Sequence, residues 1–194
     1  MSEDEQKLYA GIGREFIQTI ETTEMQKVYK MPILYSFYNH GNIRLAVTDE
    51  EVLESWKEFF DTGTNWKDFP NVNTYEDYKK VTDKQHLSKA KRMPIRFLKA
   101  SGKGFFVEKD GYALALRDEI GDVVGNMAFG EQMGDVLGYR SLEYYRRRYE
   151  KIYLNRNKNN YFKCEIEIKI KCNNKTSIEA RQFEILNHYI QDRK

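Results

Sequence analysis

Residues 84–117, KQHLSKAKRMPIRFLKASGKGFFVEKDGYALALR, place a basic segment directly before a pattern typical of a β-hairpin. The wider stretch 79–103 contains nine basic side chains, and Asp83 is its only acid. Apolar residues recur within the same segment, at Leu87, Ala90, Ile95, Phe97 and Leu98. This spacing predicts an amphipathic helix that has one apolar stripe and one basic face.

The hairpin pattern consists of two short apolar runs, 105–108 and 112–116, which Lys109-Asp110-Gly111 joins. An Asp-Gly pair between apolar runs is a strong signal for a hairpin turn. A helix with a basic face followed by a hairpin is the layout of a winged-helix DNA reader. The simpler alternative is a solvated helix on a small α+β domain, because a run of charges usually forms an exposed face.

The composition indicates one folded domain, or one domain with an appendage. The chain has 194 residues, of which 40% are hydrophobic, and its 14 Tyr and 11 Phe supply core area that a disordered chain lacks. The formal net charge is only +2, so a polyanionic partner would have to be recognised through local patches.

Cysteine usage and hydropathy predict a cytoplasmic protein. Cys164 and Cys172 lie eight residues apart in one predicted strand, a span of roughly 26 Å that is too long for a disulfide within that strand. Their spacing is not that of a zinc site either. No window approaches the length of a membrane span, and the acidic start SEDEQK is unlike a signal peptide.

The first half of the chain predicts helices over 3–21 and 23–40 and a short strand over 43–47. Thr48 and Glu51 then form a capping-box pattern at the start of a further helix. This order of helix, strand and helix matches the first half of a winged-helix domain. We expect Trp56 of that further helix to share one core with Phe97.

The second half is less regular. Residues 118–138 contain five glycines, which predict short helices, whereas 139–153 predict one longer helix. A polar linker at 155–160 precedes an alternating strand pattern and a final helix within 161–192. The predicted fold is α+β and mostly helical, with a winged-helix-like centre, a β-hairpin wing and an added C-terminal strand–helix unit. Its parts are an N-terminal docking helix (1–22), the winged-helix-like domain (23–154) and the linker with its strand–helix unit (155–194).

Residues 23–150 resemble a region found toward the C-terminus of bacterial superfamily 2 helicases and restriction-type defence proteins. The resemblance rests on Thr23-x-Met25-x-Lys27-x-Tyr29-Lys30-Met31-Pro32 with Leu34 and Phe37, on Asp49–Phe60, on Met93-Pro94-Ile95, on Gly104-Phe105-Phe106 and on the helix from Tyr139-Arg140 to Tyr149. In such proteins the region lies beside motor or nuclease domains and helps to engage DNA. The resemblance therefore implies a DNA-binding accessory role, with a helicase or nuclease as a protein partner. It implies no catalytic residue, and this chain has no Walker A loop and no DEAD-type box.

One catalytic alternative is a small metal-dependent nuclease. Glu165, Glu167 and Lys169 alternate on one face of the predicted strand, as in the metal-and-lysine half of a restriction-type nuclease site. The simpler interpretation is a solvent-exposed strand face with paired charges. His40, His86 and His188 have no neighbours at metal-ligand spacing.

The sequence therefore predicts a non-catalytic DNA-binding or accessory module, without a metal or cofactor. The alternatives are a protein–protein adaptor or inhibitor-type interaction protein, and the small metal-dependent nuclease. The expected partner is duplex DNA, with no membrane association. The residues expected to contact nucleic acid are Lys84, Lys89, Lys91, Arg92, Arg96, Lys99, Lys103, Arg146 and Arg147.

Overall fold

A computed structural model describes residues 11–39 and 41–157, and their side chains through residue 148. The chain divides between Leu137 and Gly138 into two compact units. The described residues are mostly helical with two small antiparallel sheets, which confirms the predicted α+β class. The predicted strand and helix within 161–192 lie outside the described residues.

Eight α-helices are seen in the described residues. They are α1 (Ile12–Thr22), α2 (Lys30–Phe37), α3 (Asp49–Asp61), α4 (Tyr75–Lys79), α5 (Asp83–Ala90), α6 (Arg96–Ser101), α7 (Gly121–Val124) and α8 (Met127–Asn157). A π-helical turn at Lys91–Ile95 joins α5 to α6, and short 3-10 helices lie at Asn65–Asp68 and Asp118–Ile120. The strands are β1 (Tyr38–Asn39), β2 (Asn42–Ile43), β3 (Ala46–Val47), β4 (Phe106–Val107) and β5 (Leu114–Leu116).

The larger sheet has the strand order β3-β5-β4, and both pairings are antiparallel. Strand β3 precedes α3, while β4 and β5 form the predicted hairpin after α6. Ala46 pairs with Ala115, and Phe106 pairs with Leu116, so the hairpin is attached to the strand that leads into α3. The order of these elements along the chain is thus helix, strand, helix, helix and hairpin.

The predicted strand 43–47 is two strands with different partners. Strand β2 pairs with β1 across a turn at Gly41, which has a positive φ of 87°, whereas β3 joins the larger sheet. Arg44 and Leu45 separate the two strands. A single strand was expected because Ile43, Leu45 and Val47 occupy alternate positions, and that spacing does not indicate a change of partner.

Two predicted helix boundaries were wrong. Helix α2 begins at Lys30, so 23–29 precede it as irregular chain. The N-terminal helix, predicted over 3–21, is described at Ile12–Thr22, and its predicted start lies outside the described residues. The helix predicted over 139–153 is part of α8, which begins at Met127 and ends at Asn157, so it also includes the start of the predicted polar linker.

The early start of α8 is explained by tight packing of its glycines. A Cβ atom added to Gly130 would lie 1.7 Å from the carbonyl oxygen of Gly41, and one added to Gly134 would lie 3.0 Å from the Tyr38 ring. The β1–β2 turn therefore packs against a glycine stripe on α8. We infer that this packing offsets the helix-propensity cost of about 1 kcal/mol that each glycine carries.

The core of the first unit contains many aromatic side chains. Trp56 on α3 is fully buried, and its ring centroid lies 5.0 Å from Phe60 and 5.7 Å from Tyr29. Phe16 on α1 contacts the rings of Phe105 and Phe129, at 5.4 and 6.2 Å. Helix α1 therefore buries its apolar side against the hairpin and the start of α8.

Local sequence signals act as expected at the start of α3. The Thr48 side chain accepts a hydrogen bond from the Glu51 backbone N–H, and the Glu51 carboxylate accepts one from the Thr48 N–H at 2.8 Å. The predicted capping box is thus confirmed. Ser55 on α3 donates a hydrogen bond to the Pro32 carbonyl oxygen at 2.7 Å, and this contact joins α3 to α2.

His86 on α5 lies inside the aromatic core. It is 2% exposed, and its ring lies 4.9 Å from Phe69 and 5.5 Å from Tyr78. Its Nδ1 atom has no hydrogen-bond partner among the described residues. Burial, and then the charge of Lys57, lower the pKa of His86 below its usual value near 6.5.

Because the folded protein favours neutral His86, we expect stability to fall as the pH drops below about 6.5, where the unfolded chain binds a proton more readily. Urea unfolding at pH 7.5 and 5.5 measures the difference. His86→Phe keeps an aromatic ring and removes the titrating group, so its free energy of unfolding should change less between the two pH values than that of the wild-type protein. An equal change in both proteins would contradict this assignment.

Candidate nucleic-acid interface

The basic segment forms one continuous helical element at 83–101, called here the basic helix, which comprises α5, the π-helical turn and α6. It begins with a second capping box, in which the Gln85 side chain accepts a hydrogen bond from the Thr82 N–H at 2.8 Å. Its buried residues include Ala90, Ile95 and Leu98. The predicted arrangement of one buried side and one basic side is therefore present.

Three cations on the basic helix are exposed and form no ion pair with any acid among the described residues. They are Lys84, Arg92 and Arg96, called here the basic face. All three side chains are exposed, whereas Ala90, Ile95 and Leu98 of the same helix are buried, so the three charges lie on its solvent-exposed surface. Lys103 is also exposed and follows the helix in a turn, with a positive φ of 49°.

Two other predicted contacts are paired with carboxylates. The Lys91 ammonium lies 2.6 Å from Asp49 at the start of α3, and Lys99 forms an ion pair with Glu108 beside the hairpin. Both pairs are accessible to solvent, so each contributes little to stability. They leave Lys91 and Lys99 with less uncompensated charge than Arg92 and Arg96.

Lys89 lies at the edge of the basic helix that adjoins Tyr29. Its ammonium is 5.2 Å from the Tyr29 ring centroid and 3.4 Å from the Met93 sulfur. Partial burial lowers the pKa of Lys89, and the charges of Arg92 and Lys27 lower it further. Lys27 therefore belongs to the same cluster of positive charge.

Sequence reasoning missed Lys27 as a contact, because it lies about sixty residues before the basic helix. It occurs in the irregular segment 23–29, which was predicted to be helical. No local signal links it to Lys89. Only the tertiary packing of Tyr29 against the basic helix brings the two residues together.

Phe97 contradicts the prediction that it is buried with Trp56. Its side chain is 43% exposed, whereas Trp56 is fully buried. The guanidinium carbon of Arg96 lies 5.2 Å from the Phe97 ring centroid. The exposed aromatic ring and the basic face therefore belong to the same element.

The π-helical turn explains the error. In a regular α-helix Phe97 would lie two turns after the buried Ala90, on the same side. A π turn contains an additional residue, so Leu98 takes that position and is 1% exposed. Pro94 lies within the turn, where it has no N–H to donate and its ring would clash with the carbonyl of a tighter turn. Pro94 inside the helical pattern was thus the sequence signal that could have indicated the π-helical turn.

The hairpin carries a further cation and aromatic ring. Gly111 has a positive φ of 82° in the predicted Lys109-Asp110-Gly111 turn. The Lys109 ammonium lies 5.6 Å from the Tyr112 ring centroid, and the Tyr112 side chain is 44% exposed. Sequence reasoning identified the turn and did not propose either side chain as a contact.

The remaining predicted contacts, Arg146 and Arg147, belong to the second unit. Arg147 lies 3.9 Å from Glu143, which also binds Arg140 at 2.6 Å. Arg146 is exposed. Both residues lie on the part of α8 that belongs to the second unit.

The described side chains of 11–39 and 41–148 include no group of three or more His, Cys, Asp or Glu that could hold a metal ion. Glu165, Glu167, Lys169, His40 and His188 lie outside the described residues. No helix in the described ranges is long and apolar enough to cross a membrane. Comparisons with family models, curated proteins and solved structures find no match for this chain.

Proposed function

We propose that this chain is a non-catalytic DNA-binding module that contacts phosphates through the basic face. The observation that carries the proposal is the set of exposed cations at Lys84, Arg92 and Arg96, which have no acidic partner among the described residues. Cations without carboxylate partners can neutralise phosphates without first breaking an ion pair. The opposite side of the same helix is buried, so the fold holds these charges in place.

The shape of this region supports the same function. From Lys84 to Arg96 the helix is about 18 Å long, which is enough to reach several phosphates. An α-helix fits the major groove of duplex DNA, and the adjacent hairpin provides Lys109 as a second point of positive charge. Lys27 and Lys89 extend the positive charge along one edge of the helix.

The resemblance of residues 23–150 to accessory regions of superfamily 2 helicases and restriction-type defence proteins supports a role beside such a partner. In that role the chain would hold DNA while another protein acts on it. Isolation from the native host, followed by identification of the proteins that accompany it, addresses this part of the proposal. A helicase or nuclease recovered with the wild-type chain and also with a variant deficient in DNA binding would support it.

A protein–protein adaptor is the second candidate. Exposed apolar and aromatic side chains favour it, among them Phe97, Tyr112 and Met127, the last of which is 66% exposed. Such side chains are enriched at protein interfaces. The adaptor and the DNA-binding module differ in the ligand that they need, so DNA titration separates them.

The test is titration of a labelled duplex with the full chain at a series of salt concentrations, followed by fluorescence anisotropy. The logarithm of the association constant should fall linearly with the logarithm of salt, with a slope of about −2.7 if the three residues of the basic face each contact one phosphate. Absence of binding at low salt would favour the adaptor. So would binding that is insensitive to salt, since counterion release would then play no part.

A further inference from the structure

Phe97 is a large apolar ring on the surface of the basic helix. It is 43% exposed, although its neighbour Leu98 is 1% exposed. The π-helical turn at Lys91–Ile95 places Leu98 in the core and turns Phe97 outward. π turns occur frequently at functional sites. The exposure of Phe97 is thus a consequence of a specific backbone feature, and not of a chain end or a loose loop.

The surroundings of this ring are positively charged. The Arg96 guanidinium lies against Phe97, and Arg92 precedes it by about one turn. Neither arginine is paired with an acid among the described residues. Lys89 belongs to the same basic helix, and the nearby charges of Arg92 and Lys27 lower its pKa.

A ligand for this surface needs both a flat apolar face and negative charge. A nucleotide has both, because every base presents a π-face and is joined to phosphates. In a fully paired duplex the base faces are stacked on one another, so Phe97 could contact one only after unstacking a base pair, which costs free energy. An unpaired base offers its face without that cost.

We propose that Phe97, flanked by Arg92 and Arg96, stacks on an unpaired base, so that the preferred ligand is DNA in which a duplex adjoins an unpaired nucleotide. This inference rests on the proposed function, since the cations must first hold the DNA backbone. The duplex part of the ligand binds to the basic face, and its unpaired base reaches the ring of Phe97. Stacking of one base on an aromatic ring corresponds to roughly a tenfold to hundredfold gain in affinity.

The experiment compares two labelled ligands of equal length, a fully paired duplex and the same duplex with one unpaired, bulged base. Affinities are measured by anisotropy with the full chain. The wild-type protein should bind the bulged duplex at least about tenfold more tightly. Phe97→Ala and Phe97→Leu should lose this preference and keep their affinity for the paired duplex, while Phe97→Trp should retain the preference.

The variants separate stacking from other roles of the ring. Leucine keeps apolar bulk and lacks a π-face, so a Phe97→Leu protein that retains the full preference would overturn the proposal. Tyr112→Ala is the matched control, because Tyr112 is 44% exposed and also has a cation near its ring. It should keep the preference; loss of the preference in Tyr112→Ala with retention in Phe97→Ala would place the stacking site at the hairpin and overturn the proposal.

Different results would contradict the proposed DNA-binding function and the stacking role of Phe97. If the wild-type chain binds neither ligand, the proposed function fails and this inference fails with it. If it binds both ligands equally, with the expected salt dependence, the proposed function stands and only the role of Phe97 is overturned. Circular dichroism of each variant establishes that it is folded before its affinities are compared.

Discussion

Reversal of Arg92 and Arg96 to Glu is expected to weaken duplex binding by more than about tenfold at low salt and to leave the fold intact. Both side chains are exposed, and neither forms an ion pair among the described residues. Their removal therefore breaks no ion pair. Two lost phosphate contacts should also reduce the magnitude of the salt slope by about 1.8.

The matched control is Lys67→Glu with Lys79→Glu, which changes the net charge by the same amount. These lysines lie near the rings of Trp66 and Tyr75, in the segment between α3 and α5. If DNA responds only to the overall charge of the protein, both double variants will bind equally weakly. That result, or unchanged binding in Arg92→Glu with Arg96→Glu, would contradict a role for the basic face.

Lys91→Glu tests the effect of reversing a cation that is paired with an acid. Its ammonium lies 2.6 Å from Asp49, so reversal there places two carboxylates side by side near the start of α3. We expect a loss of stability in this variant that the Arg92 and Arg96 variants do not show. Thermal unfolding of the Lys91→Glu, Arg92→Glu and Arg96→Glu proteins distinguishes the ion-paired lysine from the two arginines, which have no acidic partner among the described residues.

The second prediction compares the effects of Trp56→Ala and Phe97→Ala on the stability of the protein. Trp56→Ala should lower the free energy of unfolding by about 3–5 kcal/mol, whereas Phe97→Ala should lower it by less than about 1 kcal/mol. Trp56 is fully buried and contacts the rings of Tyr29 and Phe60, while Phe97 is 43% exposed. Loss of the indole would leave a cavity, because the surrounding rings can fill the space only in part.

Urea unfolding followed by far-UV circular dichroism measures both changes. The chain has two tryptophans, so Trp66 remains as a fluorescent reporter in the Trp56→Ala protein. A cost for Phe97→Ala as large as that for Trp56→Ala would mean that Phe97 is buried in solution. Such a result would contradict the π-helical turn and the stacking inference together.

Signals that act over a few residues were read correctly from the sequence. The capping box at Thr48 and the turn at Asp110-Gly111 are both present, since each depends on neighbouring backbone groups and on the conformations that glycine permits. The apolar pattern of α3 likewise identified Trp56 as buried. These features need no knowledge of the rest of the fold.

The glycines of 118–138 were misread because the segment that packs against them is distant in the sequence. Taken locally, Gly130 and Gly134 predict a break, because glycine is a poor helix former. In the folded chain the β1–β2 turn packs against them, and a Cβ at Gly130 would lie 1.7 Å from the Gly41 carbonyl oxygen. The spacing of four residues was visible in the sequence, but its packing partner was not.

The sequence by itself determined the basic helix, the hairpin and the mostly helical α+β class, because periodicity, capping and turn residues are local. Only the tertiary structure decided which charges are uncompensated. Lys91 meets Asp49 across 42 positions of the sequence, while Arg92, the next residue, meets no acid among the described residues. It also decided that Phe97 is exposed, because one additional residue in the π-helical turn rotates the side that faces the core. The pairing of charges depends on where distant segments pack, and no local pattern encodes that. The exposure of Phe97 follows from the register of one helical turn, for which Pro94 was the only sequence signal.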